Sequence, residues 1–388
     1  MTKKGSFSKK IGVFVLMFFG GLVGFFAAQF GMRAAAHLPV TVVVALAILF
    51  IPAFFLVIAF HEGGHALAGS YVNFDFRMYV VGPLMWDKEE AGWKFKWNRN
   101  VNTSGGMVIC MPVGQDDLPR RFSIYAAGGP LASFLGAVLF YFLYLFFNLL
   151  NSEGYMILLV AENFFFIMAC LSLVIFLVTA IPVHTGGFSS DGARVWRLLR
   201  KGDTARFDLL MLKIITLSTG GLRPSEQNVD ELNEARNLAE KLQATFGVYL
   251  HGIFHQVAFD RGDYDAAENH LKDYIRDADE IPQGIRSNVW LDAAFFYAYA
   301  RKDLQSSLAH WKNFKPSAII PKAQVFATEA AIGLLKEEYE SVKQKIEYAL
   351  RELPNMMDRG VAIALREKLM TLKNQFENIS VHASNGDR

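Results

Sequence analysis

The sequence predicts a mostly α-helical membrane protein: a polytopic transmembrane core of about four helices with a small cytoplasmic-side β-hairpin region, followed by a soluble α-helical repeat-like domain. Three observations lead there. Hydrophobic residues make up 52% of the 388-residue chain, but they are heaped into the first half and thin out after about Arg200. Apolar runs at about 11–32, 38–60, 123–150 and 155–182 each approach the roughly 20 helical residues that cross a ~30 Å hydrocarbon core. After them the chain turns polar and periodic, which sets the expected division into a membrane domain, 1–200, and a cytosolic helical domain, 201–388.

The first run follows Lys3, Lys4, Lys9 and Lys10, so a cleaved secretory signal is its rival reading. The run is long for a signal and lacks a convincing cleavage site, which favours an anchor. Threading four helices puts those lysines, Arg120 and Arg121, and the group Arg194, Arg197, Arg200 and Lys201 on one side, the cytoplasm. Both termini are then cytoplasmic, and the membrane is expected to be a bacterial cell membrane. Cys110 and Cys170 stand alone in the apolar half, so no disulfide framework is expected. A formal net charge of +2 argues against nucleic acid as a partner.

Between the second and third runs, Phe74 to Pro112 does not read as helix. Trp93-Lys94-Phe95-Lys96-Trp97 alternates aromatic with basic at period two. Asn102 to Gly106 supplies turn chemistry before Met107-Val108-Ile109-Cys110-Met111, so a β-hairpin or small sheet is expected. Its aromatics suit a membrane–water interface, as an anchor alone or with a substrate role.

In the polar half, Glu231 to Lys241 is amphipathic, and Gly262 to Ala267, Lys302 to Leu304 and Lys336 to Tyr339 each open a further amphipathic helix. Their spacing of roughly 35–40 residues resembles tetratricopeptide-type helical hairpins, which stack to bury faces that one unit cannot bury alone. The resemblance implies a cytosolic solenoid able to take a cytosolic protein partner through residues 201–388, and nothing catalytic.

The chemistry is carried by His61-Glu62-Gly63-Gly64-His65. In H-E-x-x-H the four-residue step places both imidazoles on one helical face, able to bind one Zn2+ ion. Glu62 can then act as general base toward a water that the metal acidifies, attacking a peptide carbonyl. Two histidines and a carboxylate continuing the apolar run Leu38 to Phe60 are costly to desolvate, and such residues usually serve a function.

H-E-G-G-H at the end of a transmembrane run resembles the site-2 protease family of intramembrane zinc metallopeptidases. That resemblance implies an aspartate in a D-G motif as third ligand, and Ser190-Asp191-Gly192-Ala193-Arg194 matches it after the fourth run. Taken singly, Asp191 reads as a loop residue or helix N-cap. Ala180-Ile181-Pro182 keeps the proline of the family's N-x-x-P-type segment without its substrate-holding asparagine. Ala127-Gly128-Gly129-Pro130-Leu131-Ala132-Ser133 is similar to the family's A-G-P-L-A-N segment, with Ser133 in place of asparagine. These motifs span about 55–200. A mid-membrane Gly-Gly-Pro allows close helix contact, or serves packing alone.

The expected site is therefore Glu62 as base, His61, His65 and Asp191 as metal ligands, and Val108, Ile109, Gly129 and Pro130 as substrate-binding candidates. His184 is a rival ligand or gating residue. His251 and His255 share the four-residue step but lack the following glutamate, and Glu162 and Asn163 suit an interfacial position. The activity expected is hydrolysis of a membrane-spanning protein or membrane peptide within or near the lipid bilayer. The alternative is a catalytically idle scaffold that recruits partners through its helical repeats, which would be expected to have lost Glu62 or a ligand. A zinc transporter would need ionisable residues distributed along a path through the helices.

Overall fold

The computed structural model describes residues 36–98, 105–151, 153–185, 188–200, 202–244, 247–281, 283–317 and 319–386. The first apolar run, most of the turn Asn102 to Gly106, and the side chain of His184 lie outside the described residues. The chain divides into two compact units, the first gathering residues up to Val72, Gly106–Val108 and Pro119–Arg200. The second gathers Asn73–Gly105, Ile109–Leu118 and Lys201–Arg388.

In the first unit, α1 (Val40–Tyr71), α2 (Leu118–Leu150) and α3 (Met156–Ala180) are each long and apolar enough to cross a membrane. They are apolar all round, as lipid-facing helices must be, so burial rather than hydropathy marks the inner face. On α1 that face steps by four through Ala53, Val57, His61, His65 and Gly69. Ala53 and Val57 pack with Phe140 of α2 and Met168 and Ala169 of α3. Small residues let the backbones close: a Cβ on Gly64 would lie 2.3 Å from the Gly128 carbonyl oxygen, and one on Gly128 would lie 2.4 Å from that of Gly64. A short hairpin, β5 (His184–Thr185) with β6 (Phe188–Ser189), leads into α4 (Asp191–Leu199).

β1 (Asp75–Val81), β2 (Leu84–Glu89), β3 (Gly92–Trp97) and β4 (Met107–Met111) form a four-stranded sheet in the order β3-β2-β1-β4. The pairs β1–β2 and β2–β3 are antiparallel, with Met78 opposite Asp87 and Met85 opposite Lys96. Met78, Val80 and Met85 are buried. Tyr79, Trp86, Phe95 and Trp97 form a ladder with successive ring centroids 6.0, 5.5 and 5.4 Å apart. Trp93, Phe95 and Trp97 are exposed, as the aromatic–basic alternation leads one to expect.

The polar half is a run of helices, α5 (Asp203–Gly220), α6 (Val229–Leu242), α7 (Gly247–Asp260), α8 (Tyr264–Arg276), α9 (Gln283–Phe296), α10 (Leu304–Trp311), α11 (Lys322–Leu335), α12 (Tyr339–Glu352) and α13 (Arg359–Gly386). The openings read from the sequence share one device. Gly262, Lys302 and Glu337 each adopt positive φ just before α8, α10 and α12. Asp263 and Asp303 then cap α8 and α10 by accepting from the backbone N–H of Ala266 and Ser306. Ala267, Leu271, Phe296, Ala327 and Ile346 share one continuous core, so neighbouring hairpins bury each other's apolar faces.

Candidate active site

Because α1 continues unbroken through the motif, His61 and His65 leave the same inner face one turn apart, with their rings T-shaped and 4.9 Å between centroids. Both are buried, as is Glu62. Asp191 comes from the start of α4. Ser190 is the N-cap there, its Oγ accepting from Ala193 N–H and donating to the Ile181 carbonyl, so the Asp191 carboxylate is not consumed as a cap. Instead Asp191 Oδ2 lies 3.5 Å from His61 Nε2 and 3.3 Å from His65 Nε2. Gly192 is required by the same turn, since a Cβ on it would meet the Ala180 carbonyl oxygen at 1.9 Å.

The other ring nitrogens are held from α2. His61 Nδ1 lies 2.9 Å from Ser133 Oγ, and His65 Nδ1 lies 2.9 Å from the Tyr125 carbonyl oxygen. These partners fix ring orientation and aim both Nε2 atoms toward Asp191, the arrangement by which metal-binding histidines are usually oriented. Burial alone would raise the Asp191 carboxyl, but its hydrogen bonds with His61 and His65 hold it below the ordinary carboxylate range, and Arg194 lies 3.8 Å away.

One ligand atom from each of His61, His65 and Asp191 falls within 4.8 Å of the others. Two imidazole nitrogens and a carboxylate oxygen make a donor set that suits zinc with one open position. Gly129 bounds it: a Cβ there would lie 2.2 Å from His65 Nε2. Gly106 bounds Glu62 in the same way, its Cβ position lying 2.6 Å from Glu62 Oε1.

The structure thus gathers His61, Glu62, His65, Asp191 and Gly129 in one place. Pro130 follows on α2, and Val108 and Ile109 lie on β4, the Val108 carbonyl accepting from Tyr125 Oη. Glu162 accepts from Asn148 Nδ2 near the α2–α3 turn. His255 is buried among aromatic rings with Nδ1 2.8 Å from the Ala267 carbonyl oxygen. His251 falls beside His270 and Asp273 rather than forming a pair with His255. Sequence reasoning missed the parts played by Tyr125, Gly106 and Ser133. Ser133 carried a signal, standing where the family segment has asparagine. A backbone carbonyl such as that of Tyr125 carries none.

A glutamate walled in beside two histidines and an aspartate, on helices fit to cross a bilayer, belongs to an integral membrane metallopeptidase. The family model described as Peptidase family M50 matches residues 49–380, and the chain belongs to that family, the site-2 proteases. The match runs well past the motifs at about 55–200 and takes in most of the helical half. Comparison with curated proteins and with solved structures gave no match.

Proposed function

We propose that this membrane metallopeptidase is zinc-dependent and hydrolyses a peptide bond of a membrane-spanning protein or membrane peptide within or beside the bilayer. The observation that carries the reading is the convergence of His61, His65 and Asp191 beside Glu62. His61, His65 and Asp191 hold the metal, which when bound supplies Lewis acidity that polarises the scissile carbonyl and acidifies the attacking water. Glu62 accepts the water's proton and returns it to the leaving amine. Ser133 and the Tyr125 carbonyl keep the imidazoles in register, and Gly106 and Gly129 leave space where larger residues would collide. The positive-inside pattern supports cytoplasmic termini in a bacterial cell membrane, with residues 201–388 available to a cytosolic protein partner.

The test uses purified full-length protein and a fluorogenic membrane-peptide substrate. Glu62→Gln should keep its metal and lose at least about 100-fold in turnover. Chelation should silence the wild type and zinc should restore it. Turnover near wild type in Glu62→Gln would reassign the base, and activity that survives chelation would remove zinc dependence.

A further inference from the structure

The second unit contains a cavity of about 390 Å³ that the peptidase chemistry does not use. Its volume lies within the range of ordinary ligand pockets. It is bounded by the β2–β3 hairpin on one side and by helices of the polar half on the other.

Three helices each turn a carboxamide into it: Gln256 from α7, Asn288 from α9 and Gln324 from α11. Gln324 donates to Asp292, one helical turn beyond Asn288. Among the described residues the side chains of Gln256 and Asn288 make no hydrogen bond. Ser317, at the rim before α11, has a buried Oγ with no hydrogen-bond partner. A buried hydroxyl without a partner is uncommon in a folded chain, and with the carboxamides of Gln256 and Asn288 facing the same cavity it points to a polar occupant.

The charge of the cavity narrows that occupant. Five carboxyl groups line it against two lysine ammoniums. Lys96 is already committed, with Nζ 2.7 Å from both Asp87 and Glu89. Asp292 has no cation within 4.0 Å among the described residues, and burial pushes its carboxyl up to about 7. A bound cation would satisfy it. A small inorganic ion takes only the oxygens of carboxamides and leaves their N–H groups idle, whereas a peptide backbone pairs with both sides of the carboxamides presented from these three helices.

We propose that this cavity is a binding site for a short extended peptide bearing an ammonium or guanidinium group, with Asp292 taking the charge and Gln256, Asn288 and Ser317 pairing with the peptide backbone. The inference rests on the second unit alone and stands whether or not the metal site cleaves peptides.

The experiment measures calorimetric binding of pentapeptides to the full-length protein in detergent, in three arms. One has a free amino terminus and no basic side chain; one is acetylated with a central lysine or arginine; one is acetylated and uncharged. At least one cationic arm should bind about tenfold or more tightly than the uncharged arm, and which one does so tells a peptide end from a side chain. Asp292→Asn should erase that preference, and Asn288→Leu should weaken every binding arm alike, with circular dichroism and melting showing both variants folded. Absence of cationic-peptide binding, equal affinity in all arms, or full preference retained by folded Asp292→Asn would overturn the proposal. So would spermidine or magnesium binding as tightly as the peptides.

Discussion

Ser133 is fully buried on α2, and its hydroxyl oxygen lies 2.9 Å from Nδ1 of His61. That contact leaves His61 Nε2 as the nitrogen facing Asp191. It also gives a role to the position where the family segment has asparagine, another side chain able to donate or accept.

Removing the hydroxyl should loosen the ligand without opening the helix contact. Ser133→Ala is expected to fold and to lose about 10–100-fold in zinc affinity, as losses of such supporting groups typically do. Competition with a chromogenic chelator measures it. Unchanged affinity would assign Ser133 to packing alone.

Gly129 tests the same wall by crowding. A methyl at 2.2 Å from His65 Nε2 cannot be accommodated unless the imidazole or α2 moves. Gly129→Ala should therefore lose metal and activity together. Gly136→Ala, whose Cβ would first meet the Ser172 hydroxyl at 3.0 Å, should retain metal. Metal analysis of the two purified variants makes the comparison, and equal zinc content would show that His65 adapts.

His255 makes a pH prediction for the second unit. It is 2% exposed, and burial pushes its pKa down to about 4 although its ring is hydrogen-bonded to the Ala267 carbonyl. The unfolded chain takes up this proton near pH 6.5 and the folded chain only near 4, so stability present above 6.5 is lost as pH falls between those values. The full effect is on the order of 3 kcal/mol. Melting of wild type and His255→Gln across this range should converge toward acid, because only the wild type loses this contribution. Parallel curves would move the acid sensitivity to other groups.

The legibility of the chain follows the reach of each interaction. His61, Glu62 and His65 lie within one helical turn of sequence, so spacing alone puts them on one face. Asp191 meets them only through tertiary packing, and nothing local separates it from a helix cap; the family resemblance pointed to it, and Ser190 proves to be the cap. The apolar run ends at Phe60 while α1 carries on through the motif to Tyr71, because helical hydrogen bonding persists where hydropathy falls. The hairpin was visible in the Trp93 to Trp97 alternation. β1 and β2 were hidden by charges that pair within the sheet, Arg77 with Asp75 and Lys96 with Asp87.

A helical substrate hides its scissile carbonyl in its own i to i−4 hydrogen bonds, so it must open before attack. A released segment needs new partners for its N–H and C=O groups in a dry site. β4 is an edge strand, and it starts one residue after Gly106, whose Cβ position lies against Glu62 Oε1. An extended substrate added along that edge would pass the general base with its backbone paired. Two effects should follow. Glycine, asparagine or proline near the cut should speed cleavage, and a run of leucine should slow it, because glycine costs a helix about 1 kcal/mol per residue and proline more. A proline in β4 should slow cleavage without releasing zinc if it removes the N–H on the open edge. Successive N–H groups of a strand point to opposite sides, so Val108→Pro and Ile109→Pro should differ: one loses a donor to substrate, the other a bond within the sheet. The assay is a matched substrate series differing only at the scissile segment, run with wild type and both variants after circular dichroism and metal analysis. Equal rates across the series, with no effect from either proline in a folded, zinc-loaded enzyme, would eliminate strand addition and leave the metallopeptidase assignment intact.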